Sequence, residues 1–320
     1  MRADKRPRRD EDCSALRRLT TYIFRAKRQV EFLSLFQIES QNWNSFNTTE
    51  FARSRVDASR CLLQRREYNS NVTWAEHIMS EEQSLRRRLA AEPFDVFRRV
   101  PLLGRIMIAV RDEGVVLERI GVVERVERDG SMLFTVGKAH DSEIDISRVS
   151  SAVVDYSSQM KGKVLPRIEF QDASDKIIFS VVGLEGAEPF DTGLNIFEGT
   201  AQPPLPKPAG GDEPAKLDAA DAGMQPLKAA REAEAEISIE MQRPGVTQRW
   251  RGLVPEINPA MGFVNIITSD FHLHLRGGDV KTWQRSTPTA DGTVELTAIG
   301  ADGKSLGLFL RGPSSAFGAA

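Results

Sequence analysis

Cysteine and histidine, the side chains that most often bind transition metals, are scarce in this sequence. Its 320 residues include two cysteines and four histidines. Two cysteines are too few for a disulfide framework, which excludes the disulfide-rich secreted class and favours a reducing compartment. No secretory signal follows the basic N-terminus, and no run of eighteen apolar residues occurs. We therefore expect a cytoplasmic protein without a membrane span.

Charge of one sign and the common catalytic motifs are also lacking. The formal net charge is -2, with 43 Lys+Arg against 45 Asp+Glu. This balance gives no reason to expect nucleic acid or acidic lipid as a partner. The sequence has no Walker loop, dinucleotide glycine fingerprint, Cys/His metal cluster or serine nucleophile elbow. The residues alone propose no hydrolase.

Residues 1–78 differ from the rest of the chain. They hold both cysteines, have an excess of basic residues, and show no sustained helical or strand periodicity. One explanation is a disordered basic arm; the other is that translation starts at Met79 and the upstream residues are misassigned. We favour the second, because "MSEEQSLRRRLAAEP" has the form of a helix start. Ser80 can cap this predicted helix, and Glu81 and Glu82 suit its N-terminus.

Strand patterns dominate from about residue 100. The segments "GRIMIAVRD" and "GVVLERIGVVERVERDGSMLFTVG" are rich in β-branched residues, and "RIEFQDASDKIIFSVVG" predicts a hairpin around a polar "DASD" turn. The pattern then stops at "GTAQPPLPKPAGGDEPAK", whose composition is typical of a linker. The next segment, "LDAADAGMQPLKAAREAEAE", has helix-forming composition on both sides of Pro226.

The two blocks of predicted strands resemble each other. Residues 114–121 align with 245–252 at an offset of 131, residues 143–156 with 270–283 at 127, and the strands that end at Gly183 and Gly312 at 129. We infer an α+β fold of two homologous repeats, built on large antiparallel sheets with flanking helices. The predicted boundaries are 79–198 for the first repeat, 199–236 for a linker and helix, and 237–320 for the second repeat.

The stretch "FHLHLRGGDVKTWQRSTPTADG" contains the most distinctive polar residues. His272 and His274 are two residues apart in a predicted strand, so their side chains share one face. Two explanations stay open: a metal site, or the solvent-facing side of an ordinary antiparallel sheet. Arg276 and Arg285 are cations nearby in the sequence. His140, within the polar "GKAHDSE", is expected to be an exposed loop residue.

The segments "PLLGRIMIAVRDEGVVLERIG", "GFVNIITSDFHLHLRGGDVKTW" and "PTADGTVELTAIGADGKSLGLFLRG" resemble the haemin-degrading HemS/ChuS/HmuS family. That family shares a domain with ChuX and HutX and repeats it twice. The resemblance implies large antiparallel sheets with flanking helices, cytoplasmic haem binding, and a role in haem trafficking or iron release. The family's second-repeat signature is matched in order by Phe271, Leu273, His274, Leu275, Arg276, Trp283, Pro288, Thr289, Asp291, Gly292, Val294, Glu295 and Gly303.

The sequence departs from this family at positions where the family binds haem. The family's axial histidine commonly lies on the helix that joins the repeats, and residues 214–236 contain no histidine. Ser286 and Thr287 replace the family's Arg-Lys pair. With that histidine absent, His272 or His274 is the expected ligand of the haem iron. His274 belongs to the family's strand signature, so His272, which departs from it, is the better candidate for a replacement ligand. Arg276 and Arg285 are the expected partners of the haem propionates, because a guanidinium can bind both carboxylate oxygens.

The leading functional hypothesis is a haem-binding protein that transfers haem or releases its iron, with haem and a haem transporter or haem oxygenase as partners. If the protein is an enzyme, haem is its substrate. One alternative is a non-enzymatic interaction module that kept the fold and lost haem, which the missing linker histidine supports. Another is the binding of a different tetrapyrrole or flat ligand between a sheet and the linker helix, without an axial histidine.

Overall fold

The computed structural model describes residues 85–112, 114–205 and 217–318. The strands of the first half are β1 Arg86–Leu89, β2 Arg105–Asp112, β3 Val115–Val122, β4 Arg125–Asp129, β5 Met132–Val136, β6 Ser142–Asp145, β7 Ser151–Asp155, β8 Gln159–Met160, β9 Lys163–Val164, β10 Arg167–Gln171, β11 Ile177–Gly183 and β12 Gly199–Ala201. Those of the second half are β13 Glu236–Arg243, β14 Val246–Leu253, β15 Ile257–Ala260, β16 Phe263–Ile267, β17 Phe271–Arg276, β18 Thr282–Arg285, β19 Thr293–Ile299 and β20 Ser305–Pro313. The α-helices are α1 Pro93–Phe97, α2 Glu188–Leu194 and α3 Gln225–Glu232, and 3-10 turns occupy Val100–Leu102, Ile146–Arg148 and Ser314–Phe317.

Two large antiparallel sheets contain almost all of these strands. Sheet A has ten strands in the order β12-β1-β7-β10-β11-β2-β3-β17-β16-β15, and sheet B has eight in the order β18-β19-β20-β13-β14-β6-β5-β4. Strands β8 and β9 form a separate ribbon. Each large sheet combines both halves of the chain: β15–β17 join sheet A through β3, and β4–β6 join sheet B through β14. The predicted sheet-rich α+β class is confirmed.

The two sheets repeat one strand order, which supports the predicted repeats in part. The hairpins β2–β3 and β13–β14 turn at positions 131 residues apart, as the alignment of 114–121 with 245–252 predicted. For residues 143–156 and 270–283 the sequence alignment predicted an offset of 127. This offset is wrong for the first strand of the segment, β6. Ile144 lies opposite Val246 in sheet B, and Leu275 lies opposite Val115 in sheet A. These pairs give β6 and β17 an offset of 131 as well.

The prediction of a helix that begins at Met79 is wrong for the part of this segment that the structure describes. Arg86–Leu89 is strand β1, which pairs with β7 and β12 in sheet A. Pairing with two strands, and a 2.6 Å ion pair from Arg86 to the buried Glu169, outweigh the helix propensity of this segment. Residues 1–84, including the proposed start at Met79, lie outside the described residues, and that start stays a prediction.

The helix predicted on both sides of Pro226 is confirmed only over Gln225–Glu232. Pro226 lies in the first turn of α3, where a missing N–H removes no helical hydrogen bond. The preceding residues 217–224 form turns instead of a helix. None of the helices in the described ranges has the length and apolarity that a membrane crossing requires.

Aromatic contacts between and beside the two sheets organise the core. Trp250 of β14 stacks on Phe271 of β17 with ring centroids 4.7 Å apart, and so joins sheet B to sheet A. Phe97 of α1 meets Phe170 and Phe179 of sheet A edge to face. Offset and edge-to-face rings add to the free energy gained from burying their area. The apolar core therefore lies between the facing sides of the sheets and continues under α1.

One buried amide also links the sheets. Gln248 of β14 is fully buried, and its Nε2 donates to the carbonyl oxygens of Ile108 (3.1 Å) and Leu117 (2.9 Å) in sheet A. Its Oε1 accepts from the hydroxyl of Ser142 at 3.0 Å. Because the donors and the acceptor of this amide are all paired, burial costs the side chain little.

We expect Phe271→Ala to lower the free energy of unfolding by about 3–5 kcal/mol, because it leaves a cavity where the sheets meet. Leu253→Ala in β14, whose side chain is exposed, is the control and should change stability by no more than about 0.5 kcal/mol. Urea unfolding of the full chain measures both values. Equal effects of the two substitutions would contradict the proposed role of the aromatic stack.

Candidate functional site

Strand β17 presents two chemically different faces. Phe271, Leu273 and Leu275 are fully buried, whereas His272 and His274 point to the opposite side of sheet A and are half-buried. This alternation follows from the two-residue period of a strand. The structure therefore confirms that the two histidines share a face.

A buried carboxylate completes this face. Strand β3 pairs with β17 so that Glu118 lies directly opposite His272, although the two residues are 154 positions apart. Glu118 Oε2 is 3.1 Å from His272 Nδ1, and Oε1 accepts from Arg111 Nη2 at 2.9 Å. One donor atom each from Glu118, His272 and His274 lies within 4.8 Å of the others. We call these three residues the histidine cluster. No spacing in the sequence indicated Glu118.

Asn265 determines which nitrogen of His274 carries the proton. Its Oδ1 lies 2.7 Å from His274 Nδ1. Its Nδ2 donates to the backbone carbonyls of Asn258 and Ala260 at 3.2 and 3.1 Å. Because these contacts fix the amide nitrogen, Oδ1 is the acceptor and His274 Nδ1 is the donor. In the neutral imidazole, Nε2 of His274 then carries the lone pair.

Burial and neighbouring charges set the protonation states of the cluster. Burial lowers the pKa of His274, against the opposing charge of Glu118. For Glu118, burial acts to raise the pKa, but the hydrogen bond with His272 and the charge of Arg111 outweigh it, and the pKa is lowered. Near neutral pH the cluster therefore has an ionised carboxylate and a neutral His274. These are the states in which both groups bind metals.

The two predicted propionate partners lie in different sheets. Arg276 ends β17 in sheet A, and its Nε donates to Asp279 Oδ2 at 2.8 Å. Arg285 ends β18 in sheet B. Its guanidinium donates to the carbonyl of Gly318 at 3.0 Å and to the carbonyl and hydroxyl of Ser314 at 2.9 and 2.7 Å. The structure thus divides the predicted site residues between two places.

Arg285 lines an open cleft between α3 and sheet B, which we call the α3 cleft. Its volume is about 290 Å³, close to the roughly 300 Å³ at the lower end of ligand pockets. The walls are mainly apolar, from Pro226, Trp283, Leu296 and Phe317. Among the residues that the structure describes, Arg285 is the only charged one in the lining, and no histidine, cysteine, methionine or tyrosine lines the cleft. The cleft lies between sheet B and the linker helix α3. This is the position in which the sequence analysis placed a flat ligand as an alternative to haem.

His140 is not the exposed loop residue that the sequence predicted. Only 4% of its surface is exposed, and neither ring nitrogen has a hydrogen-bond partner among the described residues. Burial lowers its pKa to about 4, with the charge of Arg119 acting in the same direction and the backbone of Gly121 opposing. The polar "GKAHDSE" segment folds back on itself through a bridge between Gly137 and His140, which places the imidazole inside.

The buried His140 predicts a loss of stability in mild acid. Its folded pKa of about 4 lies below the ordinary value of about 6.5, so the unfolded chain binds the proton more readily. The contribution of the neutral His140 imidazole to the free energy of unfolding is present above pH 6.5 and is lost as the pH falls from 6.5 to 4. We expect urea unfolding of wild type to lose up to about 3 kcal/mol more than His140→Gln over this range. If the free energy of unfolding depended on pH in the same way in both proteins, His140 would not be the cause of the acid sensitivity.

Comparisons with known proteins match the chain to one domain type. Residues 71–189 match the family model of the haemin-degrading HemS.ChuX domain, a match that begins before Met79. The chain is 20% identical to ChuS, an E. coli heme oxygenase, covering 76% of this chain and 87% of that chain with a TM-score of 0.59. It is 19% identical to holo-PhuS, a heme-binding protein from Pseudomonas aeruginosa, covering 79% and 87% with a TM-score of 0.59. These likenesses show a shared fold. No curated protein matches the sequence.

Proposed function

We propose that this chain, whose residues 71–189 match the family model of the haemin-degrading HemS.ChuX domain, binds haem in haem utilisation. The observation that carries the proposal is the α3 cleft, which combines an apolar wall with one fixed guanidinium. A porphyrin is a flat apolar ring that carries carboxylates at one edge. In this proposal the protein acts in the cytoplasm, receives haem from a transporter, and passes the haem on or releases its iron.

The residues of the α3 cleft suit the ring and a propionate. Trp283, Leu296 and Phe317 supply apolar surface on the sheet side, and Pro226 supplies it on the helix side. Three of the five N–H groups of Arg285 are bonded to Ser314 and Gly318, which fixes the side chain and leaves two for a carboxylate. A side chain held in this way loses little entropy when it binds.

Within the described ranges, no residue that lines the cleft can ligate the haem iron. Haem iron in proteins is held by histidine, cysteine, methionine or tyrosine, and the lining residues include none of these. This supports a second candidate: a non-enzymatic module that binds a carboxylated tetrapyrrole through its ring and propionates alone, whether or not the ring holds iron. The assignment of His272 or His274 to the haem iron stays a prediction that the same experiment tests.

Parallel titrations of the full chain with haemin and with metal-free protoporphyrin IX distinguish these possibilities. If the cleft holds the ring and a propionate, both ligands should saturate with dissociation constants within about tenfold of each other. Arg285→Gln should weaken both by about tenfold or more, because it removes a charge-assisted hydrogen bond. Arg276→Gln, which alters an exposed arginine in the other sheet, is the matched control and should change neither constant.

Three other outcomes of these titrations would change the proposed site or overturn the proposal. Loss of the haemin Soret shift in His274→Ala or His272→Ala, with protoporphyrin binding retained, would instead support a histidine as the iron ligand. A weaker affinity in Arg276→Gln but not in Arg285→Gln would move the propionate site to sheet A. No saturable binding of either porphyrin to wild type would sink the proposal.

A further inference from the structure

Two neighbours define the roles of the ring nitrogens of His272. Its Nε2 lies 3.1 Å from the backbone carbonyl of Thr268, which can only accept, so Nε2 carries the hydrogen. Nδ1 then faces Glu118 Oε2, 3.1 Å away, and these two atoms can hold either a proton or a metal ion between them.

We propose that the histidine cluster is a binding site for one divalent transition-metal ion. The donors are Nδ1 of His272, Nε2 of His274 and the carboxylate of Glu118, and one donor atom from each residue lies within 4.8 Å of the others. Ligands about 2.0–2.1 Å from an ion are themselves roughly 3 Å apart, which is close to the separation of His272 Nδ1 and Glu118 Oε2.

The positions of sheet B that are equivalent to the histidine cluster include a positively charged side chain. With the offset of 131 between the sheets, Arg249 takes the place of Glu118, and Asp141 and Glu143 take the places of the two histidines. Arg249 Nη1 lies 2.6 Å from Glu143 and 3.5 Å from Asp141. A guanidinium therefore provides the positive charge in sheet B. In sheet A the metal ion provides it.

The shape of the cluster favours a bare ion over the iron of a haem. A porphyrin occupies four positions around its iron and leaves one on each face, so three donors that converge from one sheet cannot all reach it. Two imidazoles and a carboxylate suit Zn²⁺, Co²⁺ or Fe²⁺, whereas Mg²⁺ and Ca²⁺ prefer oxygen ligands alone. The His272 side chain is 23% exposed, which leaves a route for the ion from solvent.

Neighbouring residues orient each ligand of the cluster. Arg111 holds the second oxygen of Glu118, Asn265 holds Nδ1 of His274, and the carbonyl of Thr268 holds Nε2 of His272. Protein metal sites commonly have such outer partners, which fix the tautomers of the ligands. None of these residues lines the α3 cleft, so the metal site and the proposed porphyrin site share no side chain.

Calorimetric titration of the full chain with Zn²⁺, in a Cys13→Ser, Cys61→Ser background that removes both thiols, tests the proposal. We expect one ion per chain. Glu118→Gln, His272→Ala and His274→Ala should each weaken binding by about tenfold or more, and His77→Ala, a histidine outside the cluster, should leave it unchanged. Asn265→Ala keeps all three ligands and should weaken binding by about 10–100-fold.

A second measurement covers variants that fold poorly. Saturating Zn²⁺ should raise the urea midpoint of the background protein, and the increase should vanish in Glu118→Gln, which keeps the size of the side chain. The absence of saturable Zn²⁺ binding, or binding of equal strength in all cluster variants, would overturn the proposal and leave a proton between His272 and Glu118. Titrations of the same variants with metal-free protoporphyrin IX report on the α3 cleft alone, so either proposal can fail without the other.

Discussion

The antiparallel pairing of β17 with β3 is the constraint on which the rest of the structure depends. It inserts three strands of the second half of the chain into the sheet of the first half, and the pairing of β6 with β14 does the reverse. Neither half can then complete its sheet alone. The same pairing places His272 opposite Glu118 and Phe271 against Trp250, so the polar cluster and the aromatic core are formed by one register.

The two faces of each sheet have separate chemical roles. The facing sides are apolar, and the α3 cleft is the place where α3, instead of the other sheet, covers this apolar surface of sheet B. Arg285 pairs with Leu296, whose neighbour in the next strand is the buried Leu310, so its guanidinium lies at the margin of the core. The outer sides carry buried charges, among them Glu118 in sheet A and Glu240 in sheet B. A flat apolar ligand and a bare cation are therefore expected on different surfaces.

Much of this fold could be predicted from the sequence, because hairpins and β-branched runs are local signals. The site could be predicted only in part, because sheet pairing is not local. His274 and Arg285 are close in sequence, yet β17 belongs to sheet A and β18 to sheet B. Glu118 gave no signal, since its partner is 154 residues away. His140 and Arg86–Leu89 were mispredicted because tertiary contacts outweighed a polar composition and a helix propensity.

In the two proposals, the histidine cluster takes a bare ion and the α3 cleft takes the porphyrin. Anomalous diffraction from crystals of haemin-loaded protein grown with Zn²⁺ tests this most directly. We expect the zinc signal among Glu118, His272 and His274, and the iron signal beside Arg285. An iron signal beside either histidine, with no zinc bound there, would contradict the account.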